Sequence, residues 1–471
     1  MTSRFSRAIN CGCAALVSMT ALVDMAQAGS AEDTTTGPDL PPTISDADSG
    51  GVQVAAYEEG GAQLLQPPAV DTGRPDLFAK PGSGDEGLPI GNWLVFPTSF
   101  AGVAFATNPG DNPTGARASP GLLVRSNTTA QNDDGIKKTV LYSNSDVQYY
   151  LQNPGSGGTS ANYMNTHTGI IETYQPSLGL IIKGQGDFTR QTDFYNSLGV
   201  TNNLTTLNPT GVGIAPTANP LPYNQLSGSV SIQGNFADTF VILSSSLVDQ
   251  IYDSSSTIAA SSPSGTTFTG TGRGGFWVFP DLYAYLEMSL DKRDYATTAL
   301  SSSGFRGVAG LGSDHFRLFS GELYAGYQEE TYTSAAIGSA QSPVFGGRVS
   351  YFPLPELKIS ASLDQTIGAS LQSTSAISSV GSSTKVSSFL AQANYALAPE
   401  WTLSGQGGLA LTTYGGSNQR DTAWTAALSV TYKVWQNFGL TSQIQRTVLD
   451  SNVPQTAFTN NVVSLGVSYV Y

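Results

Sequence analysis

The chain ends Val463-Ser464-Leu465-Gly466-Val467-Ser468-Tyr469-Val470-Tyr471. Val463, Leu465, Val467, Tyr469 and Tyr471 fall on one side of an extended chain, and Ser464, Gly466 and Ser468 on the other. Successive side chains of a strand point to opposite faces, so this period-two alternation marks a strand with one apolar face. The pattern recurs upstream. Phe438, Leu440 and Ile444 oppose Gly439, Thr441, Gln443 and Gln445. Trp424, Ala426, Leu428, Val430, Tyr432 and Val434 oppose Thr425, Ala427, Ser429, Thr431 and Lys433. Leu357, Ile359, Ala361 and Leu363 oppose Lys358, Ser360, Ser362 and Asp364.

Alternation fits both a sandwich, apolar face inward, and a membrane barrel, apolar face outward. Three features favour the barrel. Many segments run about 12 to 15 residues, against a usual strand of about 5 to 6, and a tilted strand needs about 9 to 11 to cross the hydrocarbon layer. Short links at Gln175-Pro176, Asn235 to Asp238, Pro280-Asp281, Gly312 to His315, Pro353 to Pro355, Ala398-Pro399 and Gln436 alternate with long Gly/Ser/Thr/Asn-rich ones, such as Thr192 to Pro222 and Ala369 to Ser383. Short periplasmic turns and longer outer loops give that asymmetry. Tyr174, Phe236, Phe279, Phe316, Tyr351, Phe352, Tyr395, Trp401, Trp435, Phe438 and Tyr471 gather beside the short links or the C-terminus, as a girdle at one interface would. The expectation is an all-β, transmembrane, antiparallel up-and-down barrel over 92–471. Eighteen strands are read between 92–107 and 459–471, with sixteen as the alternative count.

Composition agrees. Of 471 residues only 12% are charged, about half the usual ~25%, while Gly reaches 52, Tyr 21 and Phe 20. So much Gly with so few charges excludes a coiled coil or helical bundle. Past the N-terminus no run of about 18 apolar residues exists, which excludes a polytopic helical membrane protein. A net charge of −14 and a pI near 4.5 argue against nucleic acid as a partner.

Arg4 and Arg7, the apolar stretch from Ala8 to Leu22 and the small-x-small Ala26-Gln27-Ala28 read as a secretory signal peptide over 1–28. Both cysteines, Cys11 and Cys13, lie within it, so the exported chain would carry no disulfide, which suits a Gram-negative envelope. Residues 29–91 hold eleven acids and two bases, a charge of −9, with few large apolar residues, and read as a disordered acidic periplasmic linker.

Arg74-Pro75-Asp76, then Gly91-Asn92-Trp93-Leu94-Val95-Phe96-Pro97, resemble the opening of the β-barrel porin 2 family of proteobacterial outer-membrane proteins. Members open with an Arg-Pro element, a Gly and an apolar strand containing Phe-x-Pro; here Phe96-Pro97 lacks the intervening residue. Asp111-Asn112 matches imperfectly the Asp-Asn element that follows the first strand, and Leu397-Ala398-Pro399-Glu400 is similar to the family's short turns. The resemblance spans residues 74 to 471. It implies a barrel with a channel role, a suggestive link to surface polysaccharide, and no defined substrate.

The face alternation selects Lys183, Asp187, Glu287, Asp291, Arg348, Lys358, Asp364 and Lys433 as lumen-facing, because a Lys or Arg facing lipid at the midplane costs about 2 to 4 kcal/mol. Inside, they form either a selectivity field or ordinary cross-strand pairs. Tyr283 and Tyr285 share the face of Glu287, as sugar-stacking surfaces or as packing for a plug or folded loop. Leu465, Val467, Tyr469 and Tyr471 form the C-terminal pattern that the barrel-assembly machinery reads. His167, in a strand, and His315, in a short turn, are the only histidines. With no cysteine in the barrel, neither a catalytic constellation nor a metal site stands out, and no cofactor is expected. Asp133-Asp134 reads as a turn that needs no ion.

The expected function is a passive outer-membrane channel for small hydrophilic solutes, lodged in outer-membrane lipid. The alternatives are a surface-structural or adhesin-like barrel acting through its long loops, and an exported soluble β protein. The eight charged candidates sum to zero, but Asp111, Asp193, Asp253, Glu329 and Glu330 lie in loops or at strand ends. An acidic mouth concentrates cations, so weak cation selectivity is expected, reduced by Glu329→Gln and Glu330→Gln.

Overall fold

The computed structural model describes residues 87–111, 115–152, 161–193, 213–214, 221–253, 264–296, 298–316, 318–335, 337–371, 382–415, 418–453 and 457–470. The signal peptide, most of the linker, Tyr471 and much of the long loops lie outside them.

The first strands are β1 (Leu88–Ile90), β2 (Trp93–Ala106), β3 (Ser119–Asp133), β4 (Lys137–Tyr150), β5 (Tyr163–Ser177) and β6 (Leu180–Asp193). After them come β7 (Gly213–Ile214), β8 (Leu221–Phe236), β9 (Thr239–Tyr252), β10 (Gly265–Phe279), β11 (Leu282–Tyr295), β12 (Ser302–Phe316) and β13 (Phe319–Tyr332). The rest are β14 (Ser339–Leu354), β15 (Leu357–Leu371), β16 (Ser382–Ala398), β17 (Trp401–Tyr414), β18 (Arg420–Lys433), β19 (Phe438–Ser451) and β20 (Phe458–Val470). Setting aside the short β1 and β7, eighteen strands each pair antiparallel with their neighbours in the chain, and β2 pairs with β20 from Thr98↔Val470 to Ala106↔Val462. The sheet therefore closes on itself, its first and last wall strands paired, which is how a sheet survives in lipid.

Long and short links alternate around the whole wall, and both ends of the wall, β2 and β20, begin or finish at the short-turn rim. Several turns sit a few residues later than the sequence suggested. The Gln175-Pro176 link is at Leu178-Gly179, and where a link was expected over Gly312 to His315, β12 runs on to Phe316 and β13 starts at Phe319, so His315 belongs to β12. In each case the ladder shifts register at the residues read as the turn and resumes beyond them, Tyr174↔Ile182 being followed by Ser177↔Leu180 and Ser313↔Gly321 by Phe316↔Phe319. The turn at Asp133-Asp134 is closed by its own carboxylates: Asp134 Oδ1 accepts from the N–H of Ile136 (3.0 Å) and Lys137 (2.6 Å), and Asp133 Oδ1 from that of Gly135 (2.9 Å). The folded part starts slightly before residue 92: β1 turns back on β2, with Leu88↔Val95, through Gly91 at a φ of 62°.

The outward face is apolar along the strands, with Leu286 at 67%, Met288 at 59% and Leu290 at 62% exposure on β11 alone. Exposed apolar surface this continuous marks contact with another apolar phase, here a bilayer. Outward aromatics form two belts. Phe236, Phe279, Trp401, Tyr432, Trp435 and Phe438 lie near the short-turn rim; Phe105, Tyr149, Phe188, Phe268, Tyr327 and Phe389 lie towards the long-link rim. The second belt went unread in the sequence. A further set faces inward: Tyr150, Tyr252, Tyr295, Tyr332 and Tyr414 each end a strand at the long-link rim and are buried.

Candidate functional site

The candidate site is the inner face of the wall. Its charges cluster on β10 to β15, where inward positions alternate with lipid-facing ones. Arg273 on β10 lies in register with Glu287 on β11. Its Nη2 and Nε donate to Glu287 Oε2 at 2.6 and 2.9 Å, its Nη1 donates to Glu322 Oε2 on β13 at 3.1 Å, and its guanidinium lies 4.0 Å from the Tyr285 ring centroid. Arg348 on β14 sits across the ladder from Glu322. Arg306 on β12 reaches Asp364 on β15 at 3.6 Å and lies over the Tyr324 ring, whose hydroxyl donates to Asp364. Nearer the long-link rim, Arg293 binds Asp291 (2.9 Å), Glu330 (3.4 Å) and the backbone oxygen of Ile367 (3.1 Å). Arg273, Glu287 and Glu322 are each 5% exposed or less. Charges so buried persist only when paired and hydrogen-bonded, as these are.

Each of the ten lumen-facing candidates sits on the inward-facing side of its strand. Glu287, Asp291, Arg348 and Asp364 are brought into or beside the arginine cluster. Tyr283 and Tyr285 are each only 3% exposed. Tyr283 packs against Phe240 and Trp277, and Tyr285 under Arg273, so neither presents an open stacking face. Lys183 and Asp187 lie on β6, Lys358 at the short-turn end of β15 and Lys433 at that of β18, apart from the cluster. Asp187 joins a second group: His167 Nε2 lies 3.3 Å from its Oδ1, Gln185 donates to Oδ2 at 3.0 Å, and Ser227 reaches the same oxygen at 3.4 Å. A third group pairs Arg125 with Asp146 (3.5 Å) and Gln443 (3.2 Å).

Sequence reasoning missed Arg273, Arg293, Arg306 and Glu322. Counting outward from Pro280-Asp281 sets Arg273 opposite lipid-facing Met288; a one-residue register shift between Trp277 and Phe279 brings it opposite Glu287 and onto the inner face. Glu330, expected at an acidic mouth, is instead fully buried at 0% exposure beside Arg293. It lies on the inward side of β13, whereas Glu329, one residue earlier, faces outward and accepts from Gln341 (3.0 Å). Leu465, Val467 and Tyr469 face outward on β20, and Tyr469 packs on Phe438.

A closed wall of eighteen strands, apolar outside and charged inside, is a transmembrane β-barrel of the outer-membrane type. The chain belongs to the family described as Putative beta-barrel porin 2, which matches residues 80–471. No curated protein matches it in sequence. Among solved structures it is similar to the copper transporter OprC (TM-score 0.41, 11% identity, 82% of each chain covered). It is also similar to a mutant ferric enterobactin receptor, PfeA, from Pseudomonas aeruginosa (0.38, 9%, 80% of each). A third similar structure is an anion-selective porin from Comamonas acidovorans (0.33, 12%, 80% of this chain and 99% of that one). The copper, ferric enterobactin and anion are named for those proteins.

Proposed function

We propose that this barrel is a passive diffusion channel of the Gram-negative outer membrane for small hydrophilic solutes, weakly preferring cations, and not an enzyme. The observation that carries the reading is the wall itself: eighteen strands enclose an interior of the size class that holds water, and its inner face is polar. The cluster is nearly neutral: Arg273, Arg293, Arg306 and Arg348 face Glu287, Asp291, Glu322, Glu330 and Asp364, a sum of 4 − 5 = −1, and Lys183, Lys358, Lys433 and Asp187 elsewhere on the inner face offset it. With Glu330 paired internally, less of the mouth's charge is free, and the preference rests on the acidic segment before the barrel. Long-range attraction of this kind fades beyond a Debye length of about 8 to 10 Å near physiological salt.

Single-channel recording in planar bilayers, with reversal potentials in a KCl gradient, tests the reading. The expected result is steady conductance with a small cation preference that vanishes in molar salt. A folded barrel that never conducts removes the channel, and anion preference at low salt removes the charge argument. On the same reading the apolar band sits in outer-membrane lipid, and the barrel-assembly machinery recognises Leu465, Val467, Tyr469 and Tyr471.

The alternative is a barrel whose loops act at the cell surface. β7, within the link between β6 and β8, pairs in parallel with Ser370-Leu371 of β15, seven strands round the wall from β8, so this part of the link reaches across the barrel. Protease cleavage within 194–220 on intact cells, without loss of conductance, supports the surface role instead.

A further inference from the structure

The wall is continuous except at one seam. β14 and β15 pair from Leu354↔Leu357 to Gly347↔Leu363, and there the ladder stops, although β14 runs on to Ser339 and β15 to Leu371. Each strand stays paired on its other side, β14 with β13 as far as Ser339 and β15 with β16 as far as Ser370. Beyond Leu363, β15 turns into the lumen. A Cβ on Gly346 would meet the end of the Tyr324 ring and would lie 2.6 Å from the Leu363 carbonyl, so β15 crosses the inner face of β14 at a position with no side chain of its own.

Past the crossing, the backbone of β15 is held by side chains that point into the barrel. Arg293 of β11 donates to Ile367 O (3.1 Å), Tyr332 of β13 donates to Gly368 O, and Gln328 of β13 accepts from Ile367 N (3.4 Å). Gln365 donates to Ser342 Oγ of β14 (2.9 Å), and Gln365 and Ile367 are 1% and 3% exposed. Those two belong to the same face of β15 as lipid-facing Leu363, yet here they are sandwiched behind β13 and β14. The outer half of β15 thus makes a second layer inside the wall, and layered sheets lie about 10 Å apart.

We propose that Asp364 to Gly368 is the constriction of this channel, a wall strand folded inward that widens the bore when it rejoins β14. This rests on the channel reading above. Continuing the β14–β15 register one step at a time pairs Gly346 with Asp364, Pro343 with Ile367 and Ser339 with Leu371, so the two strands match to their ends once β7 gives up Ser370-Leu371. Each arrangement leaves something unpaired. Folded in, β14 keeps a free edge over this half, eased where Ser342 Oγ donates to the Pro343 carbonyl (2.8 Å). Rejoined, Gln365 faces lipid and Pro343 has no N–H to give. Proline in a strand belongs at an edge, which is what β14 has here in the folded-in arrangement.

The test is a cysteine pair, Pro343→Cys with Ile367→Cys, in a Cys11→Ser, Cys13→Ser background. A disulfide needs Cα atoms about 4.4 to 6.8 Å apart, which these positions reach as rung partners. Gly346→Ala is the companion, because its Cβ opposes the inward crossing without any cross-link. Heat-modifiable gel migration confirms that both variants fold. The expected result is cross-linking on oxidation and a conductance at least doubled, reversed by reductant, with Gly346→Ala shifted the same way. A parent barrel that is silent and conducts only when cross-linked supports the proposal too. A conducting parent whose cross-link fails to form, or forms with conductance unchanged, overturns the constriction and leaves the channel standing. Silence from both parent and cross-linked barrel removes the channel reading and the constriction with it.

Discussion

Arg273 illustrates what a single buried charge asks of its neighbours. With its guanidinium between Glu287 and Glu322, Arg273 is the cation that both buried carboxylates share. Arg273→Met leaves two carboxylates buried without their cation, and breaking such a pair costs about 3 to 5 kcal/mol. Urea unfolding of the barrel in lipid vesicles should show that loss, and the triple variant Arg273→Met, Glu287→Gln, Glu322→Gln should recover most of it. Asp111, in the link after β2, makes a different prediction. It is 7% exposed at a φ of 49°, and Asn460 of β20 donates to its Oδ1 at 3.0 Å. Burial raises its carboxyl from 3.8 to about 7, although the Asn460 hydrogen bond pulls the other way. The folded state therefore holds a proton that the unfolded chain releases, and the resulting stabilisation is full below about pH 4 and lost as pH rises through 7. Hydrogen exchange at Thr107 to Asp111, corrected for intrinsic rates, should show protection falling over that window. Asp111→Asn, neutral throughout and tolerant of positive φ, should flatten the dependence.

At the level of the element, hairpins carry most of the information. All eighteen wall strands were legible because alternation sets the face and turn residues set the link. The turn at Pro280-Asp281 was legible, but the Arg273–Glu287 pairing was not: counting along both arms gives Arg273 opposite Met288, and the register shift between Trp277 and Phe279 moves it by one residue. The turn near 317–318 was harder, since nothing local marks where a ladder that can continue will stop. Gly321, at the short-turn end of β13, has a φ of 140°, and any Cβ there would strike the Arg348 carbonyl. Gly321→Ala should destabilise the β13–β14 hairpin by more than about 1 kcal/mol, the usual scale when alanine is forced to a positive φ. A lowered midpoint in the heat-modifiability assay would register it. The last strand makes a separate prediction: removing Tyr471 should reduce the yield of assembled barrel in the outer membrane without lowering the stability of barrels that form.

For the whole molecule, the governing contrast is between two faces of one wall. Met288 faces outward midway along β11, and Met288→Arg should cost about 2 to 4 kcal/mol of barrel stability, as charges on the lipid face do near the midplane. Asp294→Arg, outward near the long-link rim, should cost less than about 1 kcal/mol, because the interface lets a charge reach water. Vesicle unfolding titrations compare the two. The sequence by itself determined the barrel and its run of alternating strands, because a two-residue period and the length of a membrane crossing are local properties of the chain. Only the tertiary structure decided which inward charges meet. Arg306 and Asp364 lie on strands two removed from adjacency, and Glu330 is buried because Arg293 reaches it across the inner surface. Nor does alternation foretell the inward turn of β15 after Leu363. That turn depends on how Gly346, Gln328, Tyr332 and Arg293 come together from three other strands, and a period along one strand carries no record of contacts made across the lumen.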